Sequence, residues 1–146
     1  MAALEERVPV AELTEPELAA WGADFARTLP IPVCLALRGE LGAGKTTLVR
    51  AIARALGVSE PVTSPTYALV HEYRSPRAPV IHVDLYRLER AAQLPQIGWH
   101  DFIASRAVLL VEWPERALDA LPLGHLTLTL EHLPGRPALR RLTWPD

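Results

Sequence analysis

The sequence has no asparagine, and Lys45 is the only lysine among its 15 Lys and Arg residues. The guanine-reading motif Asn-Lys-x-Asp therefore cannot exist in this chain, and a GTPase is not expected. Cys34 is the single cysteine, so no internal disulfide can form. That fits a reducing compartment, and a cytoplasmic location is expected. No apolar run approaches the roughly eighteen residues that a membrane crossing needs. The stretch Met1 to Glu12 carries Glu5, Glu6 and Glu12 instead of a basic segment followed by an apolar one, so no secretory signal is expected. The net charge is −2 with His neutral. This argues against a protein that grips nucleic acid alone over a broad basic face, because such binding rests on many phosphate contacts.

What the chain does have is 146 residues, 49% of them hydrophobic. That is enough for one domain that buries about two thirds of its unfolded surface. The 14 prolines are scattered and read as turn punctuation. Thr14-Glu15-Pro16-Glu17 is a helix start with a capping box, and Leu18, Trp21, Phe25 and Leu29 follow at helical spacing. Val33 to Leu37 reads as a buried strand. A second helix is expected from Lys45 to Leu56, with Leu48, Val49, Ile52 and Leu56 inward and Gly57 as its stop. Tyr67–Tyr73 and Val80–Tyr86 are β-prone and read as a hairpin. A helical stretch from Glu89 to Ser105 is broken near Pro95 and Gly98, and Ala107–Trp113 is another apolar strand. Leu126, Leu128 and Leu130 alternate with polar residues, and Pro134-Gly135 leads to a last strand near Leu139–Trp144. The expected fold is α/β: a single domain over 1–146, with a mixed, mostly parallel sheet flanked by helices and an antiparallel C-terminal addition.

Gly39-Glu40-Leu41-Gly42-Ala43-Gly44-Lys45-Thr46 matches the phosphate-binding pattern G-x-x-x-x-G-K-[ST] in full. Glycines let successive backbone N–H groups turn inward toward phosphate oxygens. The helix that begins near Lys45 adds its positive N-terminal end. Lys45 can reach the β- and γ-phosphates, and Thr46 offers a hydroxyl to magnesium. Four fixed positions recur by chance in roughly one chain of this length in two hundred. Here the strand before and the helix after are present as well, which marks an ATP and Mg2+ site rather than an accident.

Such a site also needs a carboxylate at the end of a neighbouring strand. Asp84 ends Val80-Ile81-His82-Val83-Asp84, and Glu112 ends Val108-Leu109-Leu110-Val111-Glu112. Ligands gather at that edge of such sheets, although an ordinary turn places carboxylates there too. Ser64-Pro65-Thr66 could close over the γ-phosphate as switch loops do, with a simple Pro turn as the plainer reading. His82 is expected to be packed, and Trp113 to be either core or a lid. Arg136, Arg140 and Arg141 form a small basic cluster, expected to be a solvated face.

Leu41-Gly42-Ala43-Gly44-Lys45-Thr46-Thr47, Ser64-Pro65-Thr66-Tyr67, His82-Val83-Asp84-Leu85-Tyr86-Arg87 and Val111-Glu112-Trp113-Pro114 together resemble the TsaE (YjeE) family in order and spacing. The resemblance implies a bacterial P-loop ATPase needed to make threonylcarbamoyladenosine beside the anticodon of tRNA. It implies TsaB and TsaD as partners, with tRNA met only through that complex, and no membrane association. It also implies that Thr46 and Glu112 hold magnesium, that Asp84 serves the metal or the attacking water, and that Thr66 is switch-like. The residues alone leave open how Asp84 and Glu112 divide the work. They also leave open a small-molecule kinase on the same loop and a nucleotide-gated binding module. The neighbourhood of Thr14 and Arg136 are the candidates for holding adenine.

Overall fold

The structure is a computed structural model and describes residues 9–62 and 70–145. Among the described residues, seven strands form one sheet: β1 Val10–Leu13, β2 Val33–Arg38, β3 Val70–Tyr73, β4 Val80–Asp84, β5 Val108–Glu112, β6 Leu126–His132 and β7 Arg140–Thr143. Their order across the sheet is β1-β7-β6-β2-β5-β4-β3. The centre is parallel, with β2 pairing on one side with β5 and on the other with β6, and β5 pairing with β4. Both margins are antiparallel: β3 lies against β4, and β7 lies between β6 and β1.

The central strands read as nearly continuous apolar runs because helices cover both faces. On one face, α1 (Glu15–Thr28) and α2 (Lys45–Ala55) pack over Leu35, Leu37, Val108, Leu110 and Leu128. On the other, α3 (Trp99–Ala104) and two 3-10 segments, Ala91–Ile97 and Pro114–Ala120, cover Ile81, Val83, Leu109 and Val111. The expected inward residues of α2 (Leu48, Val49, Ile52 and Leu56) are all buried. In α1, Leu18 and Leu29 are buried, while Trp21 and Phe25 stack with centroids 4.7 Å apart, and Trp144 packs on Trp21.

The capping box at α1 is present. The Thr14 backbone N–H donates to Glu17 Oε1 at 3.0 Å, and the Glu17 N–H donates to Thr14 Oγ1 at 3.4 Å. Thr14→Ala removes an N-cap of the kind that contributes about 1 kcal/mol. Urea unfolding should show a loss of that size with an unchanged slope.

Several elements differ from the sequence reading. β6 joins the parallel block through β2, so only its partnership with β7 is the antiparallel addition. β1 is an extra strand, held at the margin by β7. The hairpin's second strand stops at Asp84, and residues 67–69 of the first lie outside the described residues. The stretch from Glu89 divides where expected. Gly98 takes φ +88 and separates the 3-10 turn containing Pro95 from α3.

Candidate functional site

β2 ends at Arg38, and the chain passes through Gly39–Gly44 into α2. This loop needs glycine for two separate reasons. Gly44, the N-cap of α2, has φ +106, a conformation that side chains disfavour. A Cβ on Gly39 would stand 2.8 Å from the Leu130 carbonyl oxygen of β6, so a side chain there would push the loop off the sheet.

Lys45 is the first residue of α2 and is only 5% exposed. Its ammonium donates back to the Gly39 carbonyl and sits 4.0 Å from the centroid of the Trp113 ring. Burial lowers its pKa, and the nearby Glu112, Asp84 and Glu115 carboxylates oppose that shift. Thr46, which is half-buried, and Thr47 follow on the first turn of α2. Thr47 Oγ1 donates to Glu15 Oε1 at 3.3 Å.

The two carboxylates come together because β4 and β5 are parallel neighbours in register, with Asp84 opposite Glu112. Side chains two apart on a strand share a face, so Asp84 and Glu112 lie on the face of Val80 and Leu110, under α2. Asp84 Oδ1 accepts from the Tyr86 backbone N–H at 2.9 Å. Burial raises the Asp84 pKa above its ordinary 3.8, and the neighbouring Glu112 charge pushes it the same way. Glu112 is 4% exposed, and its Oε2 accepts from His82 Nε2 at 2.5 Å. His82 is buried as expected. The sequence reading missed that it touches the site, although its position two residues before Asp84 puts both on one strand face.

Trp113 is half-buried: it packs against the core cluster around Val83, Leu109 and Val111 and also borders the site. It has φ +55, the only positive φ at a non-glycine among the described residues. Such a conformation costs of order 1–3 kcal/mol and persists where the surroundings hold it. Here the turn after Glu112 places the ring over Lys45 and 4.9 Å from the Tyr86 ring.

Beside the loop, a cavity of about 380 Å³ is lined by Thr14, Pro16, Gly42, Thr47, Ala138 and Arg140. The Thr14 neighbourhood thus borders the loop. Arg136 instead pairs with Glu12 at 2.6 Å. Arg140 belongs less to a solvated face than expected: its guanidinium reaches the Gly42 carbonyl at 3.3 Å. Thr66, with Ser64 and Pro65, lies outside the described residues.

Among the described residues, no three His, Cys, Asp or Glu side chains are placed to hold a metal ion by themselves. Thr46, Asp84 and Glu112 are all oxygen donors. That set suits a magnesium ion that brings phosphate and water as its other ligands. Among the described residues, no helix is long and apolar enough to cross a membrane.

The family profile described as "Threonylcarbamoyl adenosine biosynthesis protein TsaE" matches residues 13–139. A curated relative from Synechocystis, named tRNA threonylcarbamoyladenosine biosynthesis protein TsaE, is 42% identical over 105 residues, covering 70% of this chain and 66% of its own length. Its namesake from Aquifex aeolicus is 44% identical over 64% of this chain and 66% of its own length. The one from Treponema pallidum is 35% identical over 80% of this chain and 86% of its own. The chain thus spans about two thirds of the length of the first two of these relatives. The crystal structure of Bacillus subtilis YdiB superposes with a TM-score of 0.77 at 25% identity, covering 96% of this chain and 87% of that one. A profile match that runs from the first strand almost to the last, with relatives above 40% identity beside it, places this chain in the TsaE family.

Proposed function

We propose that this chain is a single-domain, magnesium-dependent ATPase that serves threonylcarbamoyladenosine synthesis in tRNA, in the cytoplasm, together with TsaB and TsaD. One observation carries the ATPase reading. Lys45 and Thr46 open α2 at the same sheet edge where Asp84 and Glu112 stand in register. The part in tRNA modification follows from what the curated relatives are named. The net charge of −2 fits a protein that meets tRNA through its partners.

Triphosphate binding would draw the Lys45 ammonium from the Gly39 carbonyl onto phosphate oxygens, which the backbone N–H groups at the start of α2 would also meet. Thr46 and the two carboxylates would hold magnesium, which when bound neutralises charge on the phosphates. Asp84 and Glu112 would share two tasks, metal binding and alignment of the attacking water. The cavity beside Thr14 and Thr47 borders the same loop and is where the adenosine would lie, with Arg140 at its wall. Thr66 enters the proposal through its motif alone. The chain's composition rules out the Asn-Lys-x-Asp guanine reader, and ATP is the expected nucleotide.

Phosphate release from ATP, measured with and without the purified TsaB–TsaD pair, tests the reading. The expected result is slow hydrolysis that rises on adding the pair and does not rise on adding small hydroxyl compounds. Hydrolysis indifferent to the pair but stimulated by a hydroxyl acceptor would make the chain a kinase instead.

A further inference from the structure

His82 is fully buried, at 0% exposure, on a strand whose neighbouring positions Val80, Ile81 and Val83 are apolar. Filling such a position with imidazole is costly unless its ring nitrogens find partners. Among the described residues only one does. Nε2 donates to Glu112 Oε2, while Nδ1 has no hydrogen-bond partner. The single polar contact that justifies this histidine therefore goes to a carboxylate at the proposed phosphate site.

The sheet fixes this contact. β4 and β5 run parallel, with His82 opposite Leu110 and Asp84 opposite Glu112. His82 is thus one pleat back from Glu112 on the same face, and its ring reaches diagonally to the carboxylate. Both side chains are almost completely enclosed, at 1% and 5% exposure. Without the histidine, Glu112 would keep no side-chain hydrogen bond among the described residues. A buried carboxylate in that state is free to change rotamer, and positioning within a fraction of an ångström governs a catalytic group's effect.

We propose that His82 is a positioning residue for Glu112. It fixes one carboxylate oxygen, Oε2, and leaves Oε1 as the oxygen available to a magnesium–triphosphate. Outer hydrogen bonds of this kind orient ligating carboxylates, and their loss typically weakens metal affinity by about 10- to 100-fold. The inference rests on the reading of Glu112 given above.

The test compares His82→Phe, His82→Asn and His82→Gln, with Glu112→Gln as control. Phe fills the space without a donor. Asn is too short to reach Glu112. Gln places an amide donor near the position of Nε2. Magnesium is titrated while the affinity for a fluorescent ATP analogue is read, and phosphate release is followed separately. For Phe and Asn, the magnesium concentration that half-saturates the effect should rise about tenfold or more. Metal-free nucleotide affinity should stay within about twofold, and kcat should fall with little change in KM. His82→Gln should recover most of both losses. If the Phe variant does not fold, the Asn–Gln pair carries the comparison. An unchanged magnesium titration in a folded Phe or Asn variant, while Glu112→Gln shifts it, overturns the positioning role and leaves the role of Glu112 standing. Equal losses in all three His82 variants also overturn it, because packing alone would explain them. An unchanged titration in Glu112→Gln overturns the metal-site reading itself, and this inference with it.

Discussion

Lys45→Ala should nearly abolish triphosphate binding and hydrolysis while the fold survives. Lys45 is the chain's only lysine and the one positive charge of the loop, with its ammonium held inside the site by the Gly39 carbonyl and the Trp113 face. Burial already disfavours its charged form there, and a bound triphosphate would restore what solvent no longer supplies. Alanine keeps helix propensity at the first position of α2, so the melting temperature should move little. Arginine should fail as well, because its longer planar fork does not fit a space shaped for a compact ammonium between Gly39 and Trp113. Titration with a fluorescent ATP analogue, alongside circular dichroism, reads both halves of the expectation. Wild-type hydrolysis by Lys45→Ala would remove the loop from the mechanism.

Asp84→Asn and Glu112→Gln should each bind ATP through the intact loop yet hydrolyse it at least roughly a hundredfold more slowly, the usual scale for one positioned catalytic group. Both amides preserve shape and local bonds. In Asp84→Asn the amide oxygen can still accept from the Tyr86 N–H, and in Glu112→Gln the amide oxygen can still accept from His82 Nε2. Single-turnover phosphate release separates the chemical step from binding. If one variant is fully active, its residue is only a strand-end carboxylate and the other carries the site. If both are active, the catalytic roles assigned here are wrong.

Asp84 also allows a stability test with a definite sign. Burial raises its pKa in the folded, nucleotide-free protein above the ordinary 3.8. Over the pH range between 3.8 and that raised value, the folded state holds the proton that the unfolded chain has lost. Stability therefore falls as pH rises through this window, and above it the charged aspartate remains a cost. Asp84→Asn removes that cost. The variant should be at least as stable as the parent at neutral pH while losing activity. Lower stability of the Asn variant at neutral pH would show that the carboxylate supports the fold instead.

The candidate residues were largely legible in the sequence because their signals are local. The loop pattern spans Gly39 to Thr46, and the capping box spans Thr14 to Glu17, so neither depends on what pairs with what. Asp84 and Glu112 were recognisable as strand ends, but their partnership depends on β4 and β5 being neighbours, which is a long-range fact. The same limit hid the parallel pairing of β6 with β2. β1 escaped notice because its four residues alternate only between exposed and half-buried positions and owe their extended form to β7. The expectation for His82 was incomplete in an informative way. Burial was right, but a packed histidine and a hydrogen-bonded one look alike until the partner strand is known.

The pairing of β1 with β7 also sets an order of events during synthesis. Val10–Leu13 leaves the ribosome early, yet its ladder partner among the described residues, Arg140–Thr143, is translated after every other described element. The same late segment, with Ala138 and Arg140, closes the cavity beside Thr14. A nascent chain can thus own a complete loop from Gly39 to Thr46 while one wall of the proposed nucleotide site has not yet been made. Contacts of such long range form late and slowly. Ligand stabilises only the state that binds it, so ATP would hold together finished chains in preference to interrupted ones.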